Sequence, residues 1–431
     1  MLVVGMGVAV SGCGMIGKDG DAPEASAAPE AVSLLPDAKA QKVESETANS
    51  EIIDALMARR SVLPSGSSEA QLAEAVIAAD MSPAAVELRA AVLRSKARDK
   101  NWLPKLDPRI SLTGLSVLDG SLLTDLVLFG NGGKKAERNF ARADIDVAAV
   151  ALSQTRNQRI ADALSLQNAR AEAEEKLAIS NAALTRLKEY RRVLAGRVGG
   201  GIENPSDLTN LDQIIASLDA DAQTERRAAE GASGQLSVLT AGVMASPPNP
   251  TGFAVPGFGN DALPVLNAKA EAERARAEAD LARASLSPQL SAGASGGAAG
   301  VSGGLSTGGS VMIFGREAQI ESIEAQAAAA EGRVQAISEQ TERQMQRARD
   351  DAASAEGGVR DAKDVAARLA ENHRIFDAQF RAGQRKLLEA AKLYVSLTNQ
   401  RKEAVSLAAR AREARIELAR EQGVLIDGSR I

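Results

Sequence analysis

Three landmarks recur in this chain at one spacing, and that repetition constrains the fold more than any other feature. The stretch WLPKL at 102–106 answers LSPQL at 286–290, with Pro104 and Pro288 184 positions apart. Phe129-Gly130 answers Phe314-Gly315, 185 apart. Arg197-Val198-Gly199 answers Arg381-Ala382-Gly383, 184 apart. Each copy reads as helix, two short strands, long helix, tight turn, helix. The first copy predicts a helix over 69–100, strands over 106–117 and 121–129, a long helix over 134–195, a turn over 196–205 and a helix over 206–240. The second predicts the same order at 262–286, 289–297, 302–314, 316–381, 382–385 and 386–422. The Pro/Gly-rich stretch 241–261 links the two.

The second long helix carries a seam. Ile320, Ile323, Ala327, Ala330, Val334 and Ile337 follow alternating steps of three and four, the spacing of a coiled coil. The frame continues through Ala348, Ala352, Ala355, Val359, Ala362, Ala366 and Leu369 to Phe376 and Phe380, interrupted by Thr341, Gln344 and His373. So much alanine implies closely approaching helices. Leu208, Leu211, Ile215 and Leu218 show the same spacing in the first copy. At ~1.5 Å per residue, helices over 134–195 and 316–381 are each roughly 90–100 Å long, more than a compact globular domain needs.

The strands alternate. In VSGGLSTGGSVMI at 301–313, Val301, Leu305, Val311 and Ile313 share one face and Ser302, Ser306 and Ser310 the other. That run is about the ~9–11 residues a tilted strand needs to cross a bilayer. The pair over 106–117 and 121–129 is similar in length, but Asp125 must face water. Two hairpins cannot close a barrel, and bare strand edges are not tolerated in lipid. A membrane reading therefore requires several copies of the chain. Two water-soluble hairpins capping a helical rod are the other reading of the same pattern.

Composition removes most enzymes. The 431 residues include one Cys and one His, too few for a Cys/His metal site, and any Ser-His-Asp triad would have to use His373. The net charge is −5 and aromatics are 2%, without the basic, aromatic-rich surface of a nucleic-acid binder. The loop VLFGNGGKK at 127–135 lacks the first glycine and the Ser or Thr of a phosphate-binding loop. At the start, MLVVGMGVAVSGC is too short to span a bilayer and suits a signal peptide over 1–12. Val10-Ser11-Gly12-Cys13 resembles a lipobox, whose Cys13 would be acylated. Residues 13–68, rich in Ala, Pro and acids over 18–50, read as a lipidated tether.

The duplicated plan resembles the TolC family of bacterial outer-membrane efflux and secretion channels. The resemblance spans about residues 69–422. It rests on the Trp102 to Leu106 strand entry, the Leu128 to Gly133 strand exit, and the turn from Phe380 to Arg385 ahead of Leu387-Leu388-Glu389. It implies a mainly α fold with a small β part. Long antiparallel helices would form a periplasmic α-barrel, with two β-hairpins per chain in a trimeric, twelve-stranded transmembrane barrel. The repeats would occupy 69–240 and 262–422, joined by an equatorial link at 241–261 and followed by a tail at 423–431. Short helices would stack end to end beside the long ones, with 206–240 and 262–286 summing to about one long helix.

The resemblance also assigns roles. Trp102, Phe129 and Phe314 would mark the membrane interface, with Lys134, Lys135 and Arg138 near lipid headgroups. Arg197, Gly199, Gly200, Arg381 and Gly383 would form the periplasmic tip that meets an adaptor. Glu389, Glu203 and Asp207 would supply entrance charge, although Lys392 stands where a second acid is expected after Glu389. The partners implied are two further copies, a periplasmic adaptor, an inner-membrane pump or ABC transporter, and outer-membrane lipid. No catalysis, cofactor or nucleic acid is implied. Drug efflux and type I secretion stay open, as does a periplasmic adaptor or structural lipoprotein without a barrel.

Overall fold

Helices dominate because alanine-rich, charge-laced stretches run for dozens of residues without an internal proline. In the computed structural model the described residues are 50–101, 103, 105–112, 118–129, 132–255, 257, 261–286, 289–297, 300–308 and 316–430. They fall within one unit, residues 45–431. The elements are α1 (Glu51–Met57), α2 (Ser68–Ala78), α3 (Pro83–Asp99), β1 (Lys105–Leu112), β2 (Leu118–Phe129), α4 (Gly133–Gly199), α5 (Pro205–Leu239), α6 (Leu263–Ser285), β3 (Gln289–Gly297), β4 (Gly300–Gly308), α7 (Arg316–Arg381) and α8 (Leu387–Gln422). Cys13, Trp102 and Phe314 lie outside the described residues.

The expected single helix over 69–100 is two. Asp80 accepts from the Ser82 backbone N–H at 3.0 Å and α3 restarts at Pro83, a residue suited to the first turn of a helix.

The two hairpins join. β1-β2-β3-β4 form one antiparallel sheet in chain order. Asp125 sits opposite both Lys105 of β1 and Gly293 of β3. A register shift lies between Val127 and Phe129, where β2 leaves the sheet beside Leu290. β1 and β4 have no second strand neighbour among the described residues.

α4 packs against α3, α5, α6 and α8, and α7 packs against α6 and α8. Along α7 the buried residues Ala330, Thr341, Ala355, Ala362, Ala366 and Phe380 all lie on the expected seam. Gln344 is exposed and Met345 takes its place inside. A side chain at Gly358 would come within 3.2 Å of Leu407, so the small residue there permits α7 to approach α8. Leu211 and Leu218 of α5 are buried, with Leu208 and Ile215 packed around them.

The stacking of short helices differs from the expectation. α8 ends where α6 begins, so the end-to-end pair is α8 with α6, while α5 lies against α4. The reason is a knot at mid-height. Arg59, 1% exposed, donates to the carbonyls of Gln422 and Asp261, the latter at 2.6 Å. Its cation meets the carbonyl end of α8, which favours positive charge. Burial pushes its guanidinium down to about 10, against the pull of the Asp261 carboxylate.

Residues 50–68 are therefore no loose tether. Ile52, Leu56 and Leu63 are buried, and Val62 N–H bonds to the Val424 carbonyl at 2.9 Å. The segment after α8 packs as well: Leu425 and Ile426 join Leu72, Val76, Ile160, Leu164 and Leu236 in one core. The 241–261 link is stitched to the middle of α4. Gln167 donates to the Pro248 carbonyl at 2.7 Å, and Arg170 to that of Pro247 at 2.5 Å. Burial alone would raise the Glu69 carboxyl. Hydrogen bonds from its own N–H, Gly252 N–H, Thr251 and Ser68 outweigh it and hold the group below the usual range.

Two outcomes follow from this middle zone. Gly423 has φ +65° and a side chain there would strike Arg59 and Leu263, whereas Gly66, φ +78°, has open space. Gly423→Ala is expected to cost about 3 kcal/mol in denaturant unfolding and Gly66→Ala about 1 kcal/mol; equal costs would remove the knot's importance. Burial, with the charge of Glu273, raises Asp146 to about 6 despite a hydrogen bond from Ser50. A carboxyl that ionises at a higher pH when folded loses stability as pH climbs from about 4 through 6. Asp146→Asn should gain about 1–3 kcal/mol at pH 8 and nothing at pH 4, read as the shift in Tm at each pH.

Candidate functional site at the helical tip

The ends of α4 and α7 remote from the sheet turn by the same device. After α4, Ile202 N–H bonds to the Arg197 carbonyl at 2.9 Å and Gly201 N–H to that of Val198 at 3.0 Å. After α7, Gln384 N–H bonds to the Gln379 carbonyl and Gly383 N–H to that of Phe380, both at 2.9 Å. This pair of bonds needs a left-handed residue at the turn, and Gly201 and Gly383 supply it at φ +73° and +75°. The expectation that paired Gly199 with Gly383 is corrected by two positions. Gly199 ends the helix and Gly200 sits at φ −84°, while Gly201 is the structural twin of Gly383. α5 then restarts at Pro205, with Asn204 accepting from Ser206 N–H at 3.0 Å.

The charges expected at the entrance are all paired within the chain. Glu203 lies 3.6 Å from Arg197, Asp207 3.6 Å from Lys386, and Glu389 3.1 Å from Arg385. Arg197 also stacks over Phe380 at 4.6 Å, and Arg385 over Phe376 at 4.5 Å. The Lys386–Asp207 pair ties the start of α8 to the start of α5. Beneath these turns a core of Leu184, Leu187, Leu194, Leu211, Phe380, Leu387 and Leu388 joins all four helices. Ile202 remains 73% exposed at the turn.

Further along, a polar cluster joins α4 to α7. Asp377 accepts from the Tyr190 hydroxyl at 3.1 Å and from Arg381 at 2.8 Å, with Arg186 at 3.4 Å. Tyr190 lies 2.9 Å from His373 Nε2. Since the tyrosine proton goes to Asp377, the histidine nitrogen is the donor in that second bond. Tyr394 of α8 lies against the imidazole, 4.8 Å between ring centres and tilted by 42°. Burial pushes the Tyr190 phenol up to about 12, against the hydrogen bond and charge of Arg186. Tyr190, Asp377 and Arg186 escape sequence reading; the one signal present is that Asp377 follows His373 by one helical turn.

At the opposite end, Phe129 closes β2 opposite Leu290. Arg138 donates to Asn101 at 2.9 Å, and Asn101 to the Lys134 carbonyl at 3.0 Å. These bonds pin the start of α4 to the end of α3. Gly132 precedes α4 without a side-chain cap. Among the described residues no group of His, Cys, Asp and Glu is arranged to hold a metal, and no helix is long and apolar enough to cross a membrane.

Removing the hub should loosen one end of the molecule only. Asp377→Ala takes the acceptor from three donors and is expected to cost about 1–3 kcal/mol. Hydrogen exchange should quicken over 373–394 and stay unchanged around 157–168; uniform quickening would mean that the cluster supports the whole rod.

No family model and no curated protein matches the sequence. Solved structures do share its architecture. A membrane protein from Pseudomonas aeruginosa superimposes with TM-score 0.74 at 15% identity, covering 85% of this chain and 92% of that one. The outer membrane protein VceC from Vibrio cholerae gives 0.70 at 16% identity, covering 82% and 95%. The outer-membrane channel OprN gives 0.68 at 17% identity, covering 90% and 96%. At such identities the likeness is one of fold, and the chain has the fold of the TolC-like outer-membrane channels.

Proposed function

We propose that this chain is one subunit of an outer-membrane exit duct that extends into the periplasm. The observation that carries the reading is the sheet. Its four strands end at β1 and β4 without further partners among the described residues, and backbone groups left open in lipid cost several kcal/mol each. Three copies joined edge to edge would place twelve strands in a closed barrel, with α4 and α7 of each copy walling the tunnel below. Four described strands per chain and the solved outer-membrane channels of like fold support that arithmetic.

The duct does no chemistry. It supplies a water-filled path, and its tip opens when partners bind the open state better than the closed one. A periplasmic adaptor and an inner-membrane pump or ABC transporter are the partners proposed, with Arg197, Gly199, Gly200, Arg381 and Gly383 near the contact. Paired as they are, Glu203, Asp207 and Glu389 offer a weaker cation filter than three bare acids would. Acylation of Cys13 would add a lipid anchor, and Trp102, Phe129 and Phe314 would sit at the membrane boundary.

The test uses the Cys13→Ala protein purified in mild detergent. Light scattering should give three chains per particle, and planar bilayers a discrete, mostly closed conductance. A detergent-free monomer without conductance would leave a lipid-tethered helical rod instead.

A further inference from the structure

α4 and α7 do not pack closely along their length, since each leans on α6 and α8. They meet through long side chains at the tip. Arg186 and Tyr190 reach from α4, and His373, Asp377 and Arg381 from α7. The only histidine of the chain sits inside this contact. We propose that His373 makes the hold of α4 on α7 proton-sensitive, so that acid loosens this end of the molecule.

The groups around the imidazole decide the direction. α4 presents the neutral Tyr190 and the cation Arg186, which is also paired with Glu189 at 2.8 Å. α8 presents Tyr394 against the ring and the cation Arg401. On α7 itself, Asp377 is the one anion at hand, and it is already engaged by Tyr190, Arg186 and Arg381. Arg374, one position on, is tied to Glu371 at 2.6 Å. A second proton on the ring would therefore add charge to a half-buried place already facing two arginines. Burial first, and then Arg186 and Arg401, hold the imidazole below its ordinary range, with Asp377 pulling the other way. A histidine held low favours the neutral ring when packed. The contact is at full strength above about pH 6.5 and weakens as pH falls through the lowered value.

The contact needs no assumption about conduction. Only its consequence, an acid-opened duct, rests on the function proposed above. The experiment keeps the two apart. Hydrogen exchange over 373–394, corrected for the intrinsic effect of pH, is measured at pH 7.5 and pH 5 in the detergent-solubilised protein and in His373→Gln. Glutamine keeps an N–H for Tyr190 and does not titrate. A single histidine also makes the imidazole carbon resonances unambiguous, so the wild-type titration reads its protonation directly.

Protection should fall severalfold at pH 5 in the wild type, with the midpoint of the histidine titration, and stay level in His373→Gln. The same fall in both proteins overturns the proposal. So does a histidine that titrates while protection stays constant, which is decisive even where the variant fails to fold. Bilayer recordings at the two pH values then separate the claims. Conductance without pH dependence of protection retains the duct and removes the switch. Proton-dependent protection without any conductance retains the switch and removes the duct.

Discussion

The guanidinium of Arg59 holds the middle of this molecule. It lies where the carbonyl end of α8 meets the start of α6. Every donor it aims at those carbonyls fixes one rod on the next. Removing such a buried donor typically costs about 1–3 kcal/mol for each carbonyl left unpaired out of reach of water. The rest of the mid-height zone is built around it. α1 and the irregular residues after it pack against α4, α6 and the chain end, and Gly428 fits against the Leu56 carbonyl where any side chain would collide. The link between the repeats closes the zone from the other side through Glu69, Gln167 and Arg170.

With the middle fixed, the two ends are free to differ. Toward the sheet, hydrogen bonding between backbones sets the order, and in the proposed duct β1 and β4 would pair with further copies of the chain. Toward the tip, a core around Leu187, Leu211, Phe380 and Leu387 joins the helices, with ion pairs, arginines on aromatic rings and the Asp377 hub arranged over it. The exposed pairs, such as Arg385 with Glu389, contribute about 0–1 kcal/mol each.

Much of this was legible because repetition and periodicity are long-range signals. The seam from Ile320 to Phe380 runs for the whole of α7, and one exposed residue, Gln344, does not obscure it. The bounds of α7 and β3 agree with the sequence reading for the same reason. What escaped depends on contacts between distant residues. Gly199, Gly200 and Gly201 are consecutive, and only the hydrogen bonds of the turn reveal which one is left-handed. Residues 50–68 look like a tether because they follow the Ala-, Pro- and acid-rich stretch 18–50 and form only a short apolar segment before a Pro/Gly/Ser run. Ile52, Leu56 and Leu63 are buried only because α4, α6 and the chain end surround them. Asp377 is one acid among many until Tyr190 and Arg186 are brought to it from about 190 positions away.

Direct imaging of the assembled protein in a lipid nanodisc by electron cryomicroscopy tests the central claim most directly. The account predicts three chains about a three-fold axis, twelve strands closed through β1 of one copy against β4 of the next, and α4 and α7 lining one continuous tunnel. A single chain whose sheet stands open in water, or an assembly that leaves β1 and β4 unpaired in lipid, would contradict it.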